Sequence, residues 1–251
     1  MADDFDFTYK VAVVTGASRG IGRFIALALA KRGAAIVGTA RKLDSSAGAG
    51  GTLKGTMDEI ADAGGKGLAV PGEITTTRGV KTVLAAAKKE FGRIDILVNN
   101  AGVNPWTTLA DTSDEQWDEM IAINVTTPFL MIREVLPIMI AQGGGRIVTI
   151  SSGAGSTNPR GVMGPYAATK AAVDRLTINV AVDVREHNIA VNTWQPGILA
   201  TDMNAGREAA PVDVIEESII FLLAQDASTI TGQLVRRDRF GVDWGTGITG
   251  G

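Results

Sequence analysis

The sequence predicts an α/β domain built as a doubly wound parallel sheet of about seven strands. Three observations predict it. Short continuous apolar runs bounded by glycine alternate with helix-period stretches along the whole chain. A glycine-rich turn follows the first of these runs at once. The candidate functional residues then gather at the carboxyl ends of the expected strands, where such sheets place their sites. A length of 251 residues with 45% hydrophobic content fits one domain over the full chain, with no linker and no solenoid repeat.

Residues 10–15 hold Val11, Ala12, Val13 and Val14 in a row, as a strand buried on both faces would. The turn Thr15-Gly16-Ala17-Ser18-Arg19-Gly20-Ile21-Gly22 comes next. A helix then carries Ile21, Ile25, Ala28 and Leu29 on one stripe and ends before Gly33. Residues 34–39 make a second strand. Residues 42–55 read as a loose, exposed connection, rich in Ser, Gly and Ala. A helix over 56–63 ends at Gly64-Gly65, a strand follows over 67–70, and Pro71-Gly72-Glu73-Ile74 closes it.

A helix over 76–91 stops at Gly92, and strand 94–98 runs into Asn99-Asn100-Ala101-Gly102. Residues 111–142 are mostly helical, with Ser113 as N-cap and with Pro128 and Pro137 expected to kink or break the helix. Strand 146–150 ends at Ser151-Ser152, and a helix from Tyr166 runs to about 186. Strand 189–194, a helix over 212–224 and a short last strand at Leu234-Val235 complete the alternation. Residues 236–251 form an atypical tail.

Composition removes several function classes. A net charge of −3 without basic blocks argues against a nucleic-acid footprint. No uninterrupted apolar run of about 18 residues is present, so no membrane span is expected. The acidic start, residues 1–7, does not read as a signal peptide. The chain has no cysteine, which excludes disulfides and thiolate chemistry and suits a reducing cytoplasm. His187 is the only histidine and sits in a polar helix end, so neither a zinc site nor a Ser-His-Asp triad is expected.

The glycine turn lets backbone N–H groups approach a phosphate at a helix N-terminus. Arg41, at the end of the second strand, stands where an arginine accommodates a 2′-phosphate and an acid would accept from a ribose hydroxyl. With Arg19 as a second cation, NADP(H) is favoured over NAD(H). Tyr166 and Lys170 lie four apart and share one helix face. A lysine ammonium beside a phenol is expected to lower the phenol pKa toward neutrality. Trp106, Met163, Trp194, Gln195 and Met203 flank the expected crevice and suit an apolar carbonyl substrate, although Trp194 and Met203 read equally well as packing residues.

Taken in order, these residues resemble the short-chain dehydrogenase/reductase family, a Rossmann-fold group, over about residues 10–233. The resemblance rests on Thr-Gly-x-x-x-Gly-x-Gly at 15–22, Asn-Asn-Ala-Gly at 99–102, Asn124, Ser152, Tyr-x-x-x-Lys at 166–170, Pro196-Gly197 and Thr201. It implies that Tyr166 exchanges a proton with the substrate oxygen and that Ser152 hydrogen-bonds that oxygen. It implies that Lys170 binds the nicotinamide ribose and that Asn124 holds a relay water. It places the cofactor against Gly16, Ser18, Arg19, Gly20, Ile21 and Gly22, with Arg41, Glu73 and Ile74 near the adenosine. Asn100, Ala101 and Gly102 would back it, and Pro196, Gly197, Ile198 and Thr201 would close over the nicotinamide end beside Tyr166 and Lys170. Substrate would meet Trp106, Ser152, Met163, Tyr166, Gln195 and Met203.

The resemblance also implies a small-molecule carbonyl or alcohol substrate and a homo-oligomer, tetramer or dimer, built from the helices carrying Asn124 and Tyr166. Glu73 departs from the family's usual aspartate, and the segment between Thr201 and Pro211 is a short lid that predicts an open site. The tail lacks the usual Asp-Gly-Gly ending. The loose segment before Gly55, the short lid and the tail look more like a branch related to hydroxysteroid-dehydrogenase-like and citronellol dehydrogenase proteins. The competing readings are a non-catalytic nucleotide sensor or scaffold and an epimerase or dehydratase on the same fold. The intact set Asn124, Ser152, Tyr166 and Lys170 speaks against the sensor, and the lack of a separate substrate domain speaks against the others.

Overall fold

The computed structural model describes residues 5–44, 51–156 and 161–245. Residues 45–50 of the expected loose connection and 246–251 of the tail lie outside the described residues.

Strand β1, Val11–Thr15, is buried throughout. Its side chains alternate between two cores: Ala12 and Val14 face one, Val11 and Val13 the other. That two-sided burial is why the run is continuously apolar. Helix α1, Gly20–Ala30, and strand β2, Ala35–Thr39, complete the first unit, with Gly33 at φ +90° in the connection. Helix α2 spans Leu53–Asp62, three residues earlier than the sequence pattern placed it. The Thr52 side chain accepts from the Gly55 N–H, and this cap offsets a poor helix former in the first turn. Residues 53–55 therefore belong to a helix and not to the loose connection.

Strand β3, Lys66–Ala69, helix α3, Thr77–Phe91, and strand β4, Ile96–Asn99, follow. Helix α4, Asp114–Ile121, opens on a reciprocal Ser113–Gln116 capping box. It passes through one wide π turn, Ala122–Thr126, into α5, Thr127–Gln142. The two prolines do not break this helix. Pro128 falls in the first turn of α5, where a missing N–H is tolerated, and Pro137 removes one backbone bond while the helix continues. The stretch 114–142 is long and apolar enough to cross a membrane by length and composition alone. Here its apolar side chains Leu130, Met131, Ile132, Val135 and Met139 fill the core beside α3 and the sheet.

Strand β5, Gly145–Ile150, helix α6, Gly164–Asp183, strand β6, Ile189–Gln195, helix α7, Glu216–Ala224, and strand β7, Leu234–Arg236, close the chain order. His187 ends a short polar 3-10 turn after α6, as its neighbours suggested.

The sheet is fully parallel in the order β3-β2-β1-β4-β5-β6-β7. β1 pairs with β2 at Val13↔Val37 and with β4 at Val13↔Leu97. The order reverses between β1 and β4, so the chain leaves these two strands in opposite directions and opens a crevice at their carboxyl ends. α1, α2 and α7 pack on one face, and α3, α5 and part of α6 on the other.

Candidate active site

A cavity of about 830 Å³ occupies that crevice. One end is built by the turn after β1. Gly16 at φ +67° and Gly20 at φ +55° take left-handed conformations that a side chain would strain. α1 starts at Gly20 without a side-chain cap, so its first N–H groups remain open to an anion in the cavity. Ser18, Arg19 and Ile21 line the same end. Gly22 does not line the cavity. A Cβ there would stand 2.4 Å from the Gly16 carbonyl oxygen and 2.3 Å from Asn100 Nδ2, so its bareness serves the packing of helix against loop and not contact with a ligand.

Thr15 locks this junction. Its hydroxyl accepts the N–H groups of Asn100 (2.9 Å) and Ala101 (3.0 Å), while Asn100 Nδ2 donates to the Thr15 carbonyl at 2.8 Å. Asn100, Ala101 and Gly102 thereby form the cavity floor. Arg41 lines the far wall, exposed, with a long 3.4 Å pairing to Glu119. Glu73 and Ile74 lie beside it, and Glu73 Oε1 accepts from the Thr75 hydroxyl at 2.8 Å. Arg19 pairs with Asp202 at 2.6 Å across the cavity mouth. Pro196, Gly197, Ile198 and Thr201 line the wall after β6.

The other end carries the titratable groups. Ser152 follows β5 in extended conformation and accepts from the Ala154 N–H at 3.2 Å. Tyr166 is 7% exposed on α6. Burial pushes its phenol up to about 12, and a hydrogen bond with Ser152 works against that rise. The expectation of a lowered phenol pKa is thus corrected for the unliganded site: desolvation outweighs the lowering by Ser152, and the Asp174 charge adds to the rise. Lys170 is 5% exposed and its Nζ donates to the Ile150 carbonyl at 2.8 Å, 5.8 Å from the Tyr166 ring centre. Burial pulls Lys170 down to about 8.

Asn124 sits in the π turn, buried and outside the cavity lining. Its Oδ1 accepts from the Val103 N–H, and its Nδ2 donates to the Val103 carbonyl and to Thr169 Oγ1. The added turn residue of the π geometry aims this amide at the loop after β4. A Cβ built on Gly102 would lie 3.4 Å from Asn124 Oδ1 and 3.7 Å from Lys170 Nζ, so these two groups flank the same point.

The profile of the short chain dehydrogenase family matches residues 10–211. The chain belongs to the short-chain dehydrogenase family. The 3-oxoacyl-[acyl-carrier-protein] reductase FabG of Escherichia coli K12 is 36% identical over 244 residues, covering 91% of this chain and 95% of that protein. The corresponding reductase of Synechocystis is 35% identical over 244 residues, covering 92% and 96%. Among solved structures, a 7α-hydroxysteroid dehydrogenase complexed with NADH and 7-oxo glycochenodeoxycholic acid matches with a TM-score of 0.83 and 30% identity over 94% of this chain and 95% of that one. A dehydrogenase/reductase from Sinorhizobium meliloti 1021 matches at a TM-score of 0.82 and 30% identity, over 94% of this chain and 96% of that one.

In this short-chain dehydrogenase the substrate wall differs from the sequence expectation at two residues. Gln195 does not reach the cavity: it is buried on β6, and its Nε2 donates to Ser156 Oγ at 2.6 Å, holding the loop that carries Ser152. Trp194 is fully buried in the core on the α1 and α7 face, the packing alternative. Met163 joins Met120 and Tyr166 in a small apolar cluster, with Val103, Trp106 and Ala154 against it. Trp106 and Met203 line the rim.

The short lid does not leave the dehydrogenase site simply open. Trp106 Nε1 donates to the Met203 carbonyl at 2.9 Å and so ties the lid to the opposite rim. A bridge between Leu199 and Ala210 shortens the loop at its base.

Three contributing residues escaped the sequence reading. Met120 gave no signal beyond an apolar helix position. Asp174, one turn beyond Lys170 on α6, is a buried carboxylate. Burial raises its pKa, and the neighbouring Ser151 and Thr193 hydroxyls and the Lys170 charge oppose that rise. The spacing Tyr166, Lys170, Asp174 was the available signal. Arg237, in the atypical tail, donates Nε–H to the Pro196 carbonyl at 2.7 Å and braces the wall after β6.

Proposed function

We propose that the protein is an NADP(H)-dependent oxidoreductase that moves hydride between the nicotinamide and a carbonyl or secondary alcohol, acting on an apolar ketone or aldehyde. One observation carries this reading: Ser152, Tyr166 and Lys170 converge at one end of a cavity whose other end is a glycine-cradled helix N-terminus. The names of the relatives support the carbonyl chemistry. Two are 3-oxoacyl reductases, and the hydroxysteroid dehydrogenase is described with a 7-oxo ligand.

The residues present fit a dinucleotide. The bare backbone at Gly16 and Gly20 and the uncapped N–H groups of α1 suit its pyrophosphate. When bound, the cofactor supplies or receives the hydride. Tyr166 gives its phenolic proton to the substrate oxygen in reduction and removes it in oxidation. Ser152 donates a hydrogen bond to the same oxygen and fixes its place. Lys170 holds the ribose hydroxyls with its ammonium, and Asn124, on the other side of Gly102, anchors the water that links Lys170 to solvent. Met120 and Met163 keep the reacting end dry.

The cofactor preference rests on Arg41 and Lys42, which both line the adenosine end and have no tight acidic partner among the described residues. Arg41→Asp is expected to weaken NADPH by tenfold or more, on the order of one lost charge-assisted contact, while NADH gains. Fluorescence titration with both cofactors measures it, and equal affinities in the unaltered protein would sink the 2′-phosphate reading.

The same proposal includes a homo-oligomer, dimer or tetramer. Trp117 on α4, Phe129 and Ile140 on α5 and Val182 on α6 are exposed apolar side chains on the helices named for that contact. Light scattering at micromolar protein is expected to give two or four chains per particle; a strict monomer would remove this part. We assign the reaction to the cytoplasm, with which a cysteine-free chain is compatible.

A further inference from the structure

We infer that Arg207, laid on the Trp106 indole at the rim of the cavity, binds a carboxylate on the substrate, so that among carbonyl substrates with an apolar body those that also carry a carboxylate are preferred. The inference rests on the reductase reading above and narrows its substrate class.

Trp106 is an unusually fixed residue. Its φ of +57° lies in the left-handed region, which costs a bulky side chain energy and persists only where the surroundings impose it. Two hydrogen bonds impose it here. The Trp106 N–H donates to Asn104 Oδ1 at 3.0 Å, and Nε1–H donates to the Met203 carbonyl at 2.9 Å. The indole packs against the cluster of Met120, Met163 and Tyr166. Over its ring lies the Arg207 guanidinium, 3.5 Å from the ring centre. A single aromatic ring therefore separates the acid/base tyrosine's apolar surroundings from a positive charge.

The charges around the cavity single out Arg207. Arg19 is paired with Asp202, and Arg41 faces Glu119. Lys170 is committed to the Ile150 carbonyl. Lys42 stands at the adenosine end beside Arg41. Arg207 lines the cavity at the substrate end and makes no ion pair with any described residue. Contact with the ring face restrains a guanidinium yet leaves N–H groups free, and a guanidinium takes a carboxylate through two parallel hydrogen bonds. A substrate with its carbonyl at Tyr166 and Ser152, an apolar body along Met120 and Met163, and a carboxylate at Arg207 would use every wall of this end.

The test compares straight-chain oxo acids of increasing length with their methyl esters, for the unaltered enzyme and for Arg207→Ala and Arg207→Lys. The expected result is a kcat/KM at least about tenfold higher for the best acid than for its ester, the scale of a charge-assisted hydrogen-bonded pair. Arg207→Ala should remove that preference through KM, leave the ester unchanged and leave NADPH affinity unchanged. Arg207→Lys should restore it in part. Equal use of acid and ester by the unaltered enzyme overturns the inference. So does an Arg207→Ala variant that loses NADPH affinity and keeps its acid preference, which would assign the cation to the cofactor. Calorimetric titration of the corresponding hydroxy acids and their esters into the enzyme–NADP⁺ complex separates the two readings. Acid binding that depends on Arg207 without any hydride transfer keeps the carboxylate site and rejects the reductase; no preference in binding rejects the site.

Discussion

Replacing Tyr166 by phenylalanine is expected to lower kcat for carbonyl reduction by roughly 10²–10⁴, the contribution of a positioned general acid. NADPH binding should survive. The phenylalanine ring keeps the contacts that Tyr166 makes with Met120 and Met163, so the α6 face stays packed. What disappears is one hydroxyl, the group that Ser152 meets by hydrogen bond. Steady-state kinetics beside fluorescence titration of NADPH measures both halves. A variant that kept near-full activity would show that another group supplies the proton. A protein that bound NADPH yet reduced no carbonyl even with Tyr166 intact would return the sensor reading to the front.

The second large effect is a pH dependence with a fixed sign. In the free protein, Lys170 loses its proton around pH 8, lowered by burial, while Tyr166 keeps its proton to about 12. On the proposed reading, the ammonium that would hold the ribose is present below pH 8, and above it the charge is lost. NADPH affinity is therefore expected to be flat up to about pH 8 and to fall by up to about tenfold per pH unit beyond it. Tyr166 cannot cause this fall, because it does not titrate there.

Asp174 sets where the fall begins. The groups that face it are Lys170 on its own helix, Ser151 after β5 and Thr193 on β6. Its charge raises both Lys170 and Tyr166. In Asp174→Asn that raising influence is gone, so the loss of affinity should begin at lower pH. Titrations across pH 6–10 on the two proteins decide it. An unmoved onset would mean that Asp174 carries no charge in the folded protein.

Local signals in the sequence survived best. The buried strands show as unbroken apolar runs because both faces of the sheet are covered, and Tyr166 and Lys170 share a face because helical spacing alone requires it. Signals that depend on direction or distance did not survive. Gln195 stands at a strand end like Pro196, but its side chain points to Ser156 and not to the cavity. Gly22 carries the motif, yet its task is a close approach to Gly16 and Asn100, which are distant in sequence or loop geometry. Proline content argued for a broken helix at 128, but the π turn ahead of it had already changed the bonding pattern. Arg207, Arg237 and Thr52 contribute through partners that only the fold brings near. The phenol's pKa required knowing that Tyr166 is buried as well as paired.

The Arg237 bond to Pro196 makes one wall of the cavity depend on the tail. The wall after β6 is braced by a side chain supplied 41 residues later. That wall of the cavity is therefore complete only in a chain that extends through residue 237, whereas the glycine turn and the floor at Asn100 are built from residues far upstream.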